Sequence, residues 1–311
     1  MNTQSGKLLS VIIPSYNEQD MIAKTFHTVK EILDGEKIPF EILFVDDGSR
    51  DLTYTNIHQL SNHNPQVKGI SFSRNFGKEA AIFAGLEAAA GDCCVIMDCD
   101  LQHPPGTIVS MYRLWEQGFE VVEGVKASRG RENPLHTLCA NGFYGIISRV
   151  TGIDMANASD FKLLDRRAVE ALLLLPERAP FFRALSSWIG FQTATVPFEV
   201  QERTVGTSKW SLGSLIRYAI RNITSFSGAP MQFVTFMGWI MFLLSVVLGI
   251  QSLYRYFTGT AQEGFTTVIL LQLFIGSVLM ISLGIIGHYI SRIYDELKGR
   301  PRYIISKRCG Y

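Results

Sequence analysis

Apolar and polar positions follow two rhythms along the first half of the chain. Short, nearly unbroken apolar runs fall at 8–13 (LLSVII), 40–45 (FEILFV), 67–72 (VKGISF), 93–97 (CCVIM) and 119–123 (FEVVE). Segments with helical spacing separate them, among them 19–33, 52–60 and 78–90. Runs that are apolar on both faces, each followed by a helix, predict a mostly parallel α/β sheet covered on both sides.

The second half changes character. Leu212, Leu215, Ile216, Ala219, Ile220 and Ile223 recur at helical spacing, with Arg217 and Arg221 on another face. Such a helix suits a membrane surface or, taken alone, a docked core position. Segments 233–254 and 266–290 then run for 22 and 25 residues without a charge. About 20 apolar residues suffice to cross a ~30 Å hydrocarbon core. Cationic residues lie outside this pair: Arg217 and Arg221 before it, Arg292, Lys298, Arg300 and Arg302 after it. The positive-inside rule therefore predicts both ends in the cytosol and a multi-pass anchor in the inner (plasma) membrane. The expected organisation is a catalytic domain over 1–210, an interface helix over 211–229, two transmembrane helices within 230–291 and a basic cytosolic tail over 292–311.

Composition adds limits. The 311 residues carry a net charge of +1, which gives no electrostatic footprint for nucleic acid. The mean hydropathy of +0.15 is high for a soluble protein, and the excess is concentrated in 230–291. Five cysteines (Cys93, Cys94, Cys99, Cys139 and Cys309) show no zinc or CxxC spacing, as expected of reduced core thiols in a cytosolic compartment. The opening MNTQSGKLLS lacks the apolar core of a signal peptide, which places the first domain on the cytosolic side.

In doubly covered sheets, functional residues gather beyond the carboxyl ends of the strands. Beyond these runs lie PSYNE (14–18), DDGSRD (46–51), SRNFGK (73–78) and DCDLQHPP (98–105). Ser49 or Asp51 fits a helix cap, but caps do not explain Asp46, Asp47, Asp98 and Asp100 meeting at one edge. Like charges in a partly dry crevice repel, so a positive partner is expected among them. Asp98 and Asp100 are two positions apart, so in an extended segment both address one point. Such a pair shares a proton or binds a cation, and hard oxygen ligands favour Mg2+ or Mn2+ carrying phosphates. The plain alternative is a solvated acidic turn, because DxD is short and common.

Together with SVIIPSYNE (10–18), FEILFVDDGSRD (40–51), SRNFGKEAAIFAG (73–85), ASDFKLLDR (158–166), ERTVGTSKW (202–210) and GHYISRIYDELKGRPRY (287–303), the DCDLQHPP stretch is specific. The chain resembles the polyprenyl-phosphate glycosyltransferases, inverting GT-A enzymes of glycosyltransferase family 2. That family includes dolichyl-phosphate mannose synthase and the bacterial undecaprenyl-phosphate glucosyl-, N-acetylhexosaminyl- and aminoarabinosyl-transferases. The likeness spans essentially the whole chain. It implies a Rossmann-like GT-A domain, interface helices and a transmembrane hairpin, and some members assemble as homotetramers.

The resemblance also implies roles by position. Pro14, Tyr16, Glu18, Asp46, Asp47, Gly77, Lys78 and Asp98 would surround the nucleotide, with Asp47 accepting the base N–H and Asp46 buttressing its loop. Asp98 and Asp100 would hold Mg2+ or Mn2+ on the diphosphate, with Gln102 orienting it. Asp160 would stand near the reacting centre, orienting acceptor or sugar rather than acting mainly as a base; the structural alternative makes it a buried partner of Lys162 or Arg166. Arg203, Ser208 and Lys209 would bind the acceptor phosphate, with Arg129 a second candidate; Lys209 would otherwise simply attract anionic lipid. Relative to the common DADLQ pattern this chain has Cys99 for alanine and carries His103 after Gln102. His103 is expected as a neutral surface side chain rather than an extra ligand.

The implied reaction moves one hexose, with inversion, from a nucleotide sugar (UDP-linked in the bacterial subgroup) to a polyprenyl phosphate, expected to be undecaprenyl phosphate. A processive polysaccharide synthase would need a QxxRW motif and more spans, and this sequence has neither. A non-catalytic scaffold would let the acidic edge erode, yet Asp47, Asp98 and Asp100 all stand. Lipid translocation finds no Asp, Glu, Lys or Arg within the two spans.

Overall fold

The computed structural model describes residues 7–126, 159–177, 181–199, 229–258 and 264–311. The chain divides into two compact units, residues 1–209 with 300–311, and residues 210–299.

The first unit is built on an eight-stranded sheet in the order β7-β5-β6-β4-β1-β2-β3-β8. Its centre is four parallel strands: β1 (Leu9–Ser15), β2 (Phe40–Asp46), β3 (Val67–Phe72) and β4 (Cys93–Ile96). These coincide with the apolar runs, and their fully buried residues show why alternation is absent: both faces are covered. Helix α1 (Ile22–Gly35) turns Ile22, Phe26, Val29 and Leu33 inward at helical spacing. Helix α2 (Thr53–His63) follows β2, and α3 (Lys78–Ala88) follows β3 with an unbroken buried stretch from Ala80 to Leu86. Helix α4 (Gly106–Glu116) leads into β5 (Val121–Lys126).

Beyond β4 the sheet becomes mixed. β6 (Lys162–Asp165) lies antiparallel between β4 and β5, and α5 (Arg166–Leu173) and α6 (Phe182–Trp188) follow it. β7 (Thr193–Phe198) pairs parallel with β5. The opposite edge is closed by β8 (Ile305–Cys309), antiparallel to β3. The segment expected as a basic tail therefore supplies a strand of the main sheet. Tyr303 stacks on Phe72 with centroids 4.9 Å apart, and Arg302 donates to the Leu175 carbonyl.

The second unit contains α7 (Ala229–Phe257) and α8 (Phe265–Leu297). Each holds a membrane-length apolar window, Met231–Gln251 and Phe274–Leu297, with none of the window buried. At 1.5 Å per residue, 21 residues reach about 32 Å. The interface helix expected over 211–229 lies, but for its last residue, outside the described residues.

Candidate active site

The carboxyl ends of β1, β2, β3 and β4 bring their following loops to one edge. On the β2 side, Asp46 and Asp47 are buried. Asp46 accepts from the Ser71 hydroxyl at 2.6 Å and from the Ser49 N–H at 3.0 Å, fastening its own loop to β3. Asp47 reaches across to the 73–77 loop, where its oxygens accept the N–H groups of Phe76 (2.6 Å) and Gly77 (2.9 Å). Burial pushes the Asp47 carboxyl up against the pull of these two donors, and the neighbouring Asp46 adds to the rise. Two glycines make this junction possible. Gly48 has φ +67°, and a Cβ there would meet the Arg74 backbone carbon at 2.4 Å. Gly77 has φ +101° in open space, so its constraint is conformational. On the β1 side, Asn17 and Glu18 donate their N–H groups to Ser49 Oγ and Thr53 Oγ1. Pro14 sits within β1 opposite Val45, and Tyr16 is exposed just beyond the strand.

Beyond β4 the arrangement is ionic. Asp98 and Asp100 are half-buried and the intervening Cys99 is buried, so both carboxylates lie on the open side. Lys78, at the first position of α3, places its ammonium 2.6 Å from Asp98 Oδ1 and 2.8 Å from Asp160 Oδ2. This is the positive partner that the clustering of acids demanded. Asp160 is 7% exposed and also receives Arg183 from α6, Nε to Oδ1 at 2.6 Å and Nη2 to Oδ2 at 3.0 Å. Burial alone would raise the Asp160 carboxyl; the Lys78 ammonium and the Arg183 guanidinium outweigh it and hold the group well below the usual carboxylate range. The same charges work on Lys78: burial lowers its ammonium, and Asp98 and Asp160 more than restore it.

Three surrounding residues complete the cluster. Glu79 accepts the Phe182 N–H at 2.9 Å, and burial together with the Asp160 charge pushes its carboxyl up to about 7. Lys162 is wholly buried, 2.5 Å from Glu123 Oε1 and 2.8 Å from Ser186 Oγ. His103 is buried too, stacked on Phe161 at 4.7 Å with Phe198 edge-on at 5.5 Å. Its Nδ1 accepts the Asp98 N–H at 3.4 Å, and burial lowers its pKa against the pull of Asp98. The expectation of a surface His103 is thus corrected: its ring packs between Phe161 and Phe198 while supporting the Asp98 backbone. The alternative partners for Asp160 are corrected as well. Lys162 turns to Glu123, and Arg166 donates to the carbonyls of Ala89 and Gly91.

Among the described residues, no three His, Cys, Asp or Glu side chains converge into a metal cage. Asp98 and Asp100 offer two hard carboxylates, and the Gln102 N–H donates to Asp100 Oδ1 at 3.1 Å. That donor set fits Mg2+ or Mn2+ bound jointly by protein, phosphate oxygens and water. Asp98 is at the same time the partner of the Lys78 ammonium. Arg129, Arg203, Ser208 and Lys209 lie outside the described residues. Sequence reasoning missed Arg183, Glu79 and Glu123, and named Lys162 only as a possible partner of Asp160; Arg183 lies in the apolar stretch PFFRALSS, where nothing marks it.

A mixed sheet with an acidic edge of this form is the GT-A glycosyltransferase fold. The chain resembles in fold glucosyl-3-phosphoglycerate synthase from Mycobacterium tuberculosis, solved with Mn2+, UDP and glucosyl-3-phosphoglycerate. The TM-score is 0.50 at 20% identity, over 72% of this chain and 81% of that one. Residues 10–173 match the glycosyl transferase family 2 domain, and the chain belongs to that family. It is a glycosyltransferase. It is 38% identical over 303 residues to the uncharacterized glycosyltransferase YkcC of Bacillus subtilis, covering 97% of this chain and 94% of that protein. It is 36% identical over 301 residues to the SfII prophage-derived bactoprenol glucosyl transferase of Shigella flexneri, covering 96% and 97% respectively.

Proposed function

We propose that the protein transfers a single hexose, with inversion, from a UDP-sugar to undecaprenyl phosphate at the cytosolic face of a membrane. Glucose is the first candidate sugar. The observation that carries this reading is the presence in one chain of a cation-holding acidic edge and two unburied membrane-length helices. A soluble charged donor suits the first, and a lipid acceptor suits the second. The near full-length likeness to a protein named bactoprenol glucosyl transferase supports both halves.

The chemistry follows from charge. A phosphate monoester has a second pKa of about 6, so near neutral pH the acceptor is already a nucleophilic dianion. No strong base is then needed, and Asp160, clamped between Lys78 and Arg183, is a weak one. Its use is to orient Lys78, whose ammonium neutralises charge on the departing diphosphate. Asp98 and Asp100 are the residues that would hold Mg2+ or Mn2+, which when bound supplies Lewis-acid stabilisation of the leaving group. Attack from the side opposite the diphosphate inverts the anomeric carbon.

Orientation follows from β8. The chain leaves the first unit near residue 209 and returns to it near residue 300. Two crossings would satisfy that return, and the flanking Arg and Lys residues support a cytosolic side for both ends.

Membranes containing the protein are to be incubated with a panel of radiolabelled nucleotide sugars and undecaprenyl phosphate. Label from UDP-glucose is expected in the lipid extract, and EDTA is expected to stop its appearance. Label from none of the donors would overturn the function, and transfer indifferent to EDTA would overturn the metal role of Asp98 and Asp100.

A further inference from the structure

Helix α6 is only seven residues long, yet it is tied down with unusual investment. At its start, the Glu79 carboxylate takes the Phe182 N–H. Along its buried side, Phe182, Ala184 and Leu185 enter the core. Beneath it, Lys162 donates to Ser186 Oγ at 2.8 Å and to the Arg183 carbonyl at 3.4 Å, while paired with Glu123. Taking such an ion pair out of water costs several kcal/mol per ion, and well-packed apolar residues often serve stability as well or better. What apolar residues cannot do is fix the hydroxyl and carbonyl of the turn that Arg183 begins.

The direction of this bracing is outward. A chain of polar contacts runs from the Glu123–Lys162 pair to the Arg183 carbonyl and Ser186 of α6, and from the Arg183 guanidinium to Asp160, Lys78 and Asp98. Asp160 is closed off from solvent, whereas the Lys78 and Asp98 side chains are 40% and 33% exposed. The buried end is thus rigid and the open end faces arriving substrate. A guanidinium gripping both carboxylate oxygens fixes the plane of the group, which a lysine on a flexible stem cannot do.

We propose that Arg183 is a positioning residue for sugar transfer: its two-pronged hold on Asp160 sets the carboxylate that aims the Lys78 ammonium at the donor diphosphate, with Lys162, Glu123 and Glu79 fixing the helix that carries it. This rests on the transfer function proposed above. Among the described residues, Lys78 and Arg183 are in direct contact with Asp160, Glu79 lies beside them, Asp98 lies across the Lys78 ammonium, and Lys162 and His103 also feel the Asp160 charge.

The test is a set of double-mutant cycles on the full-length protein in membranes, with UDP-glucose and undecaprenyl phosphate as probes. R183M is expected to lower kcat about 30- to 100-fold and to change the donor KM by less than about threefold, the mark of an interaction realised in the transition state. R183K is expected to recover only part of the loss, lacking the fork. Because Arg183 acts through Asp160, adding R183M to D160N is expected to cost less than about threefold further. The same is expected on K78M, which supplies the background if D160N falls to the floor of the assay. R183M within threefold of the parent, or a full R183M penalty repeated in both backgrounds, would overturn the proposal in favour of a merely structural arginine. Wild-type membranes inactive with every donor would instead defeat the transfer reading itself, whereas active wild type with an indifferent R183M defeats only this inference.

Discussion

At the end of β2, Asp46 and Asp47 are held by neutral donors: a serine hydroxyl and three backbone N–H groups. At the end of β4, Asp98 and the neighbouring Asp160 are held by Lys78 and Arg183. Both corners belong to one sheet edge, and the difference is one of permanence. Backbone donors cannot leave, so the β2 corner keeps two loops in register whatever arrives. An ammonium shared between two carboxylates can be redistributed when phosphate charge enters, so the β4 corner is where a reaction can draw on stored electrostatics.

The sharpest way to break this comparison is to attack the support of the ionic corner. K162A leaves the part-buried Glu123 carboxylate with the Ser187 hydroxyl at 3.4 Å in place of an ammonium, and removing one partner of a buried pair costs up to about 3–5 kcal/mol. Thermal unfolding of the detergent-solubilised protein is expected to show that loss, whereas a K162A protein as stable as wild type would mean that the pair is not a brace. Next, D98N removes a cation-holding carboxylate from the open side. Transfer of label to lipid is expected to fall about 10^2- to 10^3-fold with little change in melting temperature, the scale of losing one electrostatic element of a site. Retained turnover would make the β4 corner a structural device like its neighbour.

The neutral corner should respond less and differently. D47N presents an amide to the Phe76 or Gly77 N–H, and a buried donor left unmatched costs about 1–3 kcal/mol. The expected outcome is a lower melting temperature and a raised donor KM, with kcat comparatively preserved; a selective kcat defect would erase the distinction between the corners.

The smallest expected effect is one of pH. The folded protein holds the Glu79 proton up to about pH 7, whereas the ordinary value is 4.5. Between those values the unfolded chain ionises while the folded one does not, so this group's contribution to stability falls as pH rises from about 4.5 to 7. Melting curves across that window are expected to flatten in E79Q relative to wild type, and parallel curves would remove Glu79 from the cluster.

What could be read from the residues divides along the same line. Strands β1 to β4 declared themselves because burial on both faces demands unbroken apolar runs. The polar residues beyond them were legible because strand ends collect function. β6 did not announce itself: it is four residues long and begins with a lysine that only its partner Glu123 makes tolerable. β7 alternates half-exposed and exposed positions, and β8 carries Lys307 and Arg308 on an outward edge, so both lack the apolar signature. Charged edge strands of that kind blunt unwanted pairing, and for the same reason resemble tails. Arg183 and Asp160 lie 23 residues apart. Asp160 stands just before the four-residue β6 and Arg183 in a seven-residue helix, neither of which has a periodicity to find.

β8 also imposes an order on the birth of the molecule. Its residues are made after α8, yet they complete a sheet whose central strands come from the first third of the chain. Until then β3 offers a bare row of unpaired N–H and C=O groups to any passing strand. The nascent protein therefore waits, with one seam open, until both greasy helices have been synthesised, and an interrupted copy is marked by that open seam for aggregation or disposal.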